Sequence, residues 1–499
     1  MSDSPSVDLG LPDSLHEIKE KSLRGIGALI KRQIAIKLIY LAASVLLARL
    51  LAPQVFGIYA IVSFVVTFFS TFSDIGIGAA LIQKKGKLSR EEISTTFWLQ
   101  QILAWCVVVV VLVIAPLTLL VYPSLPSAGV WLIRAMAVSF VFVSLKTIPA
   151  ILMERNLDFN RIAWVDIAEN LSFNITSVCF AMAGFEVWSF IIAALIRSIL
   201  GTIIIYAISP WRPTLQFRLA AVKDMVKFGL PYQGNTILGF IKDAVTPLFI
   251  GVYAGATAVG YVTWAKNFAM APLMLSDSFG RVSFPAFSRI QHNRELLART
   301  VESSIRCMTL IMFPITVLMV VLGPGIIHVV FTDKWTPGLW AYYFYCTSPM
   351  LIGILLPMYS AILAVGKSGI LLKMMIILLF LEWGLGIPFV LKFGFVGIAF
   401  NQPFIAVLFF FIYNYVLKTE HVNITLTKNI KWQFFAAVAT GGICKASAMQ
   451  IQTNLITISS IFCAGIIIYI GIMYVVRKTI LKEFGDYLLR VAGINGEKA

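Results

Sequence analysis

The sequence predicts an all-α integral membrane protein with about 14 transmembrane helices, arranged as two pseudo-symmetric six-helix lobes plus two C-terminal helices. Three observations lead to this fold class. The chain is 59% hydrophobic and 13% charged, whereas an average soluble domain is about half apolar and about 25% charged. Its apolar residues form long uninterrupted runs, and parts of the chain repeat at a fixed offset.

The apolar runs have the length of membrane helices rather than of barrel strands. A helix needs about 20 apolar residues to cross the hydrocarbon core, and a barrel strand needs about 10. The runs predict spans at residues 33–52, 56–82, 95–121, 130–152, 163–184, 187–208, 228–251, 257–285, 304–330, 338–365, 371–391, 394–417, 431–450 and 455–476. The preceding segment, residues 1–32, lacks a signal cleavage site and has the spacing of an amphipathic helix on the inner surface.

Positively charged residues determine the predicted orientation. An even number of spans places both termini on the same side of the membrane. The segments on that side hold most of the Lys and Arg residues, whereas the opposite loops hold only Lys334 and Lys392. Because cytoplasmic loops are enriched in these residues, both termini are predicted to be cytoplasmic. The net charge of +16 is then a bias toward the cytoplasmic face, and no nucleic-acid partner is expected.

An internal repeat predicts the two lobes. A shift of 203 residues places Gly57 on Gly260, and a shift of 210 aligns the Gly-Phe pairs that begin at Gly184 and Gly394. Six spans separate the copies, so both keep the same orientation, as in transporters built from parallel repeats. The predicted organisation is an amphipathic cytoplasmic segment (1–32), an N-lobe (33–208), a basic cytoplasmic linker (209–227), a C-lobe (228–417), spans 13 and 14 (418–476) and a cytoplasmic tail (477–499).

Cations within apolar spans are the first candidate site residues. A charge at the centre of a membrane helix costs about 2.5–3.5 kcal/mol, so it is expected to face protein or a wet cavity. The candidate substrate-binding cations are Arg49, Arg134, Arg197, Lys242 and Lys266. Arginine forks match phosphate geometry and lysine supplies a point charge, so the set suits an anionic passenger. The alternative is structural ion pairing, for example of Arg197 with Glu169 or of Lys266 with Asp243.

Polar residues at helical spacing form a second group of candidates. The stripes in spans 5 and 7 predict contact with a cavity through Asn170, Asn174, Asn235 and Thr246. The candidates for gating or ion coupling are the carboxylates Asp74, Asp277, Asp166, Glu169, Asp243 and Glu382. Asp74 and Asp277 are aligned by the shift of 203 residues. Both lie near the predicted inner face, where a gate or a structural role at a helix end is favoured over ion coupling.

The predicted outer loops are too short to carry an active site. Phe185–Glu186 is nearly a bare turn, and Thr332–Pro337 is among the longest. Membrane enzymes that polymerise or ligate glycans usually use large external loops, and this chain shows no acidic or histidine cluster there. The sequence contains no nucleotide-binding motif and its four histidines are scattered, so no cofactor or metal is predicted. The predicted class is a transporter, not an enzyme.

Four stretches resemble the bacterial oligosaccharide and polysaccharide flippases of Wzx type. They are ARLLAPQVFGIYA (48–60), FSDIGIGAALIQKK (72–85), ILMERNLDF (151–159) and GRVSFPAFSRIQ (280–291). The resemblance covers roughly residues 20–480. The same superfamily includes multidrug extruders and the lipid II flippase. Members of this branch often have Arg before Asp at the position of Lys242–Asp243, and lysine keeps the charge but lacks the fork.

The resemblance implies a passenger and a mechanism. The passenger would be a polyprenyl-pyrophosphate-linked oligosaccharide, moved from the inner to the outer leaflet of the bacterial inner membrane by alternating access for surface polysaccharide export. Expected partners are this glycan, membrane lipid, a polysaccharide polymerase and glycosyltransferases. The energy would come from an ion gradient, the membrane potential or consumption of the product outside. The alternatives are a cation-coupled multidrug extruder and a membrane glycosyltransferase or ligase.

Overall fold

The computed structural model describes residues 39–71, 73, 76–84, 86, 88–209, 211–450 and 454–491. These residues form helices joined by short connections, with no β-strand among them. The chain divides into two compact units, Met1–Gly260 and Tyr261–Ala499. The division into lobes at residues 33–208 and 228–417 stays a prediction.

The first unit contains eleven α-helical segments in its described residues, the last of which continues into the second unit. They are α1 (Ile39–Leu50), α2 (Pro53–Thr71), α3 (Ile77–Gln83), α4 (Arg90–Ile114), α5 (Thr118–Val121), α6 (Gly129–Arg155), α7 (Phe159–Met182), α8 (Val187–Ile208), α9 (Lys223–Asp243), α10 (Gly251–Tyr253) and α11 (Gly255–Ala269). The second unit contains α12 (Ser276–Ile290), α13 (Arg294–Ile326), α14 (Leu339–Ala364), α15 (Ser368–Phe393), α16 (Val396–Thr419), α17 (Leu426–Gln450) and α18 (Leu455–Val491).

The predicted fold class is confirmed, because helical structure covers each predicted span in its described residues. Ten helices in this part of the chain are long and apolar enough to cross a membrane. The other four predicted spans correspond to α1, α7, the pair α11 and α12, and α17. Helix α7 is long enough, but Asp166 and Glu169 lower its hydropathy, as expected for a helix whose polar face contacts other helices.

The second predicted span is interrupted rather than continuous over 56–82. Helix α2 ends at Thr71, and α3 begins after Gly76, whose φ of 72° is left-handed. A Cβ at Gly76 would lie 2.2 Å from the backbone oxygen of Gly229 in α9. Only glycine satisfies both conditions without strain, so the break follows from a close backbone approach that hydropathy does not report.

Gly57 and Gly260 form a reciprocal backbone contact between α2 and the beginning of α11. A Cβ at Gly57 would lie 1.6 Å from the oxygen of Ala256, and a Cβ at Gly260 would lie 1.9 Å from the oxygen of Pro53. Pro53 and Ala256 are also related by the shift of 203 residues. The two contacts thus join positions that the shift of 203 residues aligns, while the two-lobe repeat itself stays a prediction.

The second alignment of the repeat falls on two glycines with positive φ angles. Gly184, between α7 and α8, has a φ of 83°, and Gly394, between α15 and α16, has a φ of 63°. Both glycines thus end a helix in a left-handed conformation that a side chain would strain. Both glycines lie in short connections between consecutive helices, and the equivalence of the two connections stays a prediction.

Helices α17 and α18, which lie outside the repeat, pack on α13. A Cβ at Gly441 of α17 would lie 2.5 Å from Val317 of α13, and a Cβ at Gly465 of α18 would lie 2.6 Å from Leu318. Small residues let helix backbones approach closely where lipid gives no hydrophobic driving force. The main core of this unit continues from these contacts and includes Phe313, buried between these helices and α14 and α16.

Candidate functional site

A buried carboxylate with two cations lies at the centre of the first unit. Glu169 of α7 has only 2% of its side chain exposed and contacts Lys146 of α6 and Arg197 of α8. Lys146 Nζ bonds Glu169 Oε1, and Arg197 Nε lies 3.5 Å from Oε2. One carboxylate and two cations leave one positive charge. We call Lys146, Glu169, Arg197 and Gly201 the Glu169 cluster.

The local sequence of α8 makes room for this carboxylate. A Cβ at Gly201 would lie 1.7 Å from Glu169 Oε1, so only a glycine at this position lets the carboxylate reach its place. Thr202 Oγ1 donates to the carbonyl oxygen of Phe142 at 2.8 Å and ties α8 to α6. The three helices are thus held close enough for Glu169 to contact cations on both sides.

The Arg197 and Lys146 side chains differ in their exposure and in their contact with Glu169. The Lys146 side chain is 20% exposed, and that of Arg197 is 42% exposed. Arg197 lies 5.9 Å from the ring centroid of Phe173. Its Nε lies 3.5 Å from the carboxylate, and within the described part of the chain its terminal Nη nitrogens make no hydrogen bond. Those nitrogens can therefore bind an incoming anion without breaking the Glu169 cluster.

Lys242 lies one residue before the end of α9. Its Nζ is 2.9 Å from Oδ1 of the neighbouring Asp243, and the two side chains are 19% and 60% exposed. After Ala244 the chain forms a π-helical turn over Thr246–Ile250, with Pro247 at its start. Such turns leave backbone groups outside the regular ladder and are frequent at functional sites.

Helix α2 packs against both helices that carry these cations. Tyr59 stacks on Phe190 of α8 with ring centroids 4.6 Å apart, and Phe64 stacks on Phe240 of α9 at 5.3 Å. Phe190 precedes Arg197 by two helical turns, and Phe240 precedes Lys242 by two residues. Arg197 and Lys242 therefore lie on helices with a common aromatic neighbour.

The other predicted cations occupy different surroundings. Arg134 donates from Nε to the carbonyl oxygen of Leu112 at 3.3 Å and lies over the ring of Trp131 at 5.0 Å. Arg49 is exposed in the last turn of α1, and Lys266 is exposed on α11. Arg197 and Lys242 each lie beside a carboxylate. Whether any of them faces a cavity stays a prediction.

The predicted polar stripe of α7 bonds to its own helix. Asn170 Nδ2 donates to the Asp166 carbonyl oxygen at 2.8 Å, and Asn174 Nδ2 donates to the Asn170 carbonyl oxygen at 2.7 Å. Asn174 is buried and Asn170 is half-buried. Thr246 is half-buried in the π-helical turn. Asn235 belongs to α9, but its side chain lies outside the described residues.

The remaining predicted carboxylates fall into two groups. Glu382 of α15 is buried and accepts hydrogen bonds from α16, at 3.0 Å from Gln402 Nε2 and 3.4 Å from Asn401 Nδ2. Asp166 is half-buried on α7. Asp74 and the side chain of Asp277 lie outside the described residues, so their pairing stays a prediction.

Four residues of these sites are not among the predicted candidates. Lys146 is one of them, and it bonds Glu169. Gly201, Asn401 and Gln402 are not predicted at all. The spacing of Glu382 from two amides on the next helix was a signal in the sequence that could have identified Asn401 and Gln402. Nothing in the sequence distinguishes Gly201 from the other glycines in spans.

Comparison with solved structures defines the class of protein. The lipid II flippase MurJ in an inward closed conformation superposes with a TM-score of 0.74, at 16% identity, over 92% of this chain and 100% of that chain. An inward-facing multidrug resistance MATE family transporter of the MOP superfamily superposes with a TM-score of 0.61, at 14% identity, over 79% of this chain and 99% of that chain. At such identities the likeness concerns the fold. The chain is a multi-pass membrane protein with the fold of these transporters.

The sequence comparisons then give the family. Residues 46–339 match the family described as "Polysaccharide biosynthesis protein", and the chain belongs to it. The lipopolysaccharide biosynthesis protein WzxC of Escherichia coli (strain K12) is 26% identical over 71% of this chain and 72% of its own length. The succinoglycan biosynthesis transport protein ExoT of Rhizobium meliloti (strain 1021) is 27% identical over 58% of both chains. These findings confirm the predicted transporter class over an enzyme and the resemblance to polysaccharide flippases.

Proposed function

We propose that this protein is a flippase that moves a polyprenyl-pyrophosphate-linked oligosaccharide from the inner to the outer leaflet by alternating access, for export of a surface polysaccharide. Family membership supports the polysaccharide pathway. The name of ExoT as a transport protein and the fold of a lipid II flippase support the step of membrane crossing. Both termini would be cytoplasmic, in accord with the distribution of Lys and Arg.

The observation that carries the proposal is the unbalanced charge of the Glu169 cluster. Two cations face one carboxylate, and the guanidinium of Arg197 approaches it with Nε at 3.5 Å. A buried structural ion pair needs one cation, because each further charge adds a desolvation cost. A second, half-exposed arginine is what a site for a pyrophosphate requires, since its two terminal nitrogens fit two phosphate oxygens.

Lys242 would supply a second contact to the pyrophosphate. Its Nζ lies beside Asp243 at 2.9 Å, and Asp243 is mostly exposed, so a phosphate oxygen can replace the carboxylate as partner. The half-buried Asn170 amide of α7 and the half-buried aromatic side chains Tyr59 and Phe64 of α2 would contact sugar rings. The lipid tail would remain in or beside the bilayer, where its transfer costs least.

The test is export of surface polysaccharide, normalised to the amount of protein in the membrane. Because hydrogen bonds to charged groups are about twice as strong as neutral ones, Arg197→Ala and Lys242→Ala should lose far more export per molecule than Asn174→Ala or Thr246→Ala. Lys242→Arg should retain export, because it keeps the charge and adds donors. Lys242→Glu should abolish it.

A purely structural role predicts a different result. If Lys242 and Arg197 only hold helices together, their alanine variants should lose protein from the membrane while each remaining molecule exports normally. That outcome would remove both residues from the substrate site. Normal export of the polysaccharide by a strain lacking this protein would refute the function itself.

A further inference from the structure

The segment of residues 211–219, between α8 and α9, exposes apolar side chains beside cations. Leu215 is 91% exposed, Leu219 is 58% exposed and Phe217 is 49% exposed. These three side chains occupy alternate positions of a segment without regular secondary structure up to Arg218. We call residues 211–219 the interfacial strap.

The strap is fixed to the first unit by its backbone. Ser94 Oγ donates to the Thr214 carbonyl oxygen at 2.8 Å and accepts from the Thr214 N–H at 3.2 Å. Trp98 Nε1 donates to the same carbonyl oxygen at 2.8 Å. The N–H of Arg218 donates to Thr95 Oγ1 at 3.0 Å. Both ends of the exposed apolar group are therefore held on the first turns of α4.

The start of the strap is also anchored, at the end of a predicted span. Trp211 is buried and packs edge-on against Phe97 with ring centroids 5.4 Å apart. Arg212 Nη1 donates to the carbonyl oxygens of Ser209 and Trp211 at 2.6 and 2.8 Å. The strap thus leaves α8 directly after Ile208 and stays at the level where a membrane helix ends. The segment is thus anchored while Leu215 stays exposed.

The charges around the strap indicate what that partner is. The side chain of Arg218 is 70% exposed, with Glu91 Oε1 at 3.8 Å as a loose partner. Lys223 and Lys227 of α9 are exposed. Apolar side chains beside Arg and Lys are the composition of segments that lie in the interface of an anionic membrane. The strap also falls on the predicted cytoplasmic side, where anionic lipids give the leaflet a negative surface potential.

We propose that the interfacial strap binds the anionic phospholipids of the leaflet that surrounds α4 and α8. Leu215, Phe217 and Leu219 would enter the boundary between headgroups and acyl chains, and Arg218 and Lys223 would contact phosphate groups. This contact would hold the first unit at a fixed depth in the membrane. It depends on the strap alone and not on the identity of the passenger.

The test measures where a spin label on the strap resides. The full-length protein is prepared with the exposed cysteines Cys106, Cys179 and Cys463 replaced by serine, and a nitroxide is attached at Leu215→Cys. A matched control carries it at His292→Cys, an exposed polar position between α12 and α13 on the same predicted side. The protein is placed in nanodiscs of phosphatidylcholine with or without phosphatidylglycerol. Collision rates with oxygen, which concentrates in lipid, and with a water-soluble nickel chelate report the environment.

We expect the label at 215 to collide mainly with oxygen in discs that contain phosphatidylglycerol, and the label at 292 to collide mainly with nickel. Each neutralised cation in the Arg218→Gln and Lys223→Gln variants should weaken the attraction to the anionic leaflet by about fivefold, the equivalent of about 1 kcal/mol. Strong collision with nickel at 215 would show a water-exposed strap and overturn the proposal. Low collision with both reagents would show a protein contact instead, and would overturn it as well.

Discussion

Replacing each cation of the Glu169 cluster by methionine should separate a structural cation from a functional one. Lys146 bonds a carboxylate that is 2% exposed and is itself 20% exposed, so this is a buried pair. Removing one partner of a buried pair typically costs about 3–5 kcal/mol. Arg197 stays near the carboxylate, so we expect the lower end, about 3 kcal/mol, for Lys146→Met.

Arg197→Met should cost much less stability. Its Nε is 3.5 Å from Glu169 Oε2 and its side chain is 42% exposed. An ion pair in which one side chain is nearly half exposed contributes about 1 kcal/mol or less to stability. Export per molecule should follow the opposite order, because the terminal nitrogens of Arg197 are the donors proposed for the pyrophosphate.

The assay is a pair of double-mutant cycles with Glu169→Gln, measured as free energies of unfolding in bicelles. The coupling energy of Lys146 with Glu169 should be about 2–3 kcal/mol, within the range found for residues in contact. That of Arg197 with Glu169 should be below about 1 kcal/mol. The variant Lys146→Met/Glu169→Gln should regain stability relative to Glu169→Gln, because it no longer leaves lysine buried without a carboxylate.

Equal coupling energies for the two cations, or a larger one for Arg197, would refute this division of roles. So would full export by Arg197→Met at normal levels of protein in the membrane. If the Glu169 cluster has only a structural purpose, polysaccharide export by both variants should change in proportion to their free energy of unfolding.

Two further predictions concern backbone contact and buried hydrogen bonds. Gly57→Val should force α2 and α11 apart, since even a Cβ would lie 1.6 Å from the Ala256 oxygen, and overpacking costs about 1–3 kcal/mol. The control is Gly442→Ala, whose Cβ meets nothing within 4 Å. Equal melting temperatures of the two variants would contradict the expected loss of stability. Gln402→Leu should destabilise the protein by about 1–3 kcal/mol, because a buried carboxylate loses one of its amide donors. An unchanged thermal unfolding curve would show that Glu382 does not depend on this bond.

The sequence alone determined the class of this protein and the positions of its helices. Uninterrupted apolar runs predict membrane helices because each residue of a span faces lipid or other helices, so the signal is local and additive over about 20 residues. Short sequence stretches also indicated the flippase family. The shift of 203 residues aligns Gly57 with Gly260, which lie in close backbone contact, and the two-lobe repeat stays a prediction.

Only the tertiary structure decided how charges and glycines are used. The sequence indicated Arg197 and Glu169 as one possible ion pair, but it did not indicate Lys146 as a second partner of Glu169. The partners of a buried charge depend on which faces of three helices meet at the same depth. The interruption near Gly76 and the space for Glu169 beside Gly201 likewise depend on backbone approach between segments far apart in the chain. Hydropathy and helical periodicity describe one helix at a time, whereas these contacts arise from the packing of several helices, each with many possible rotations and depths.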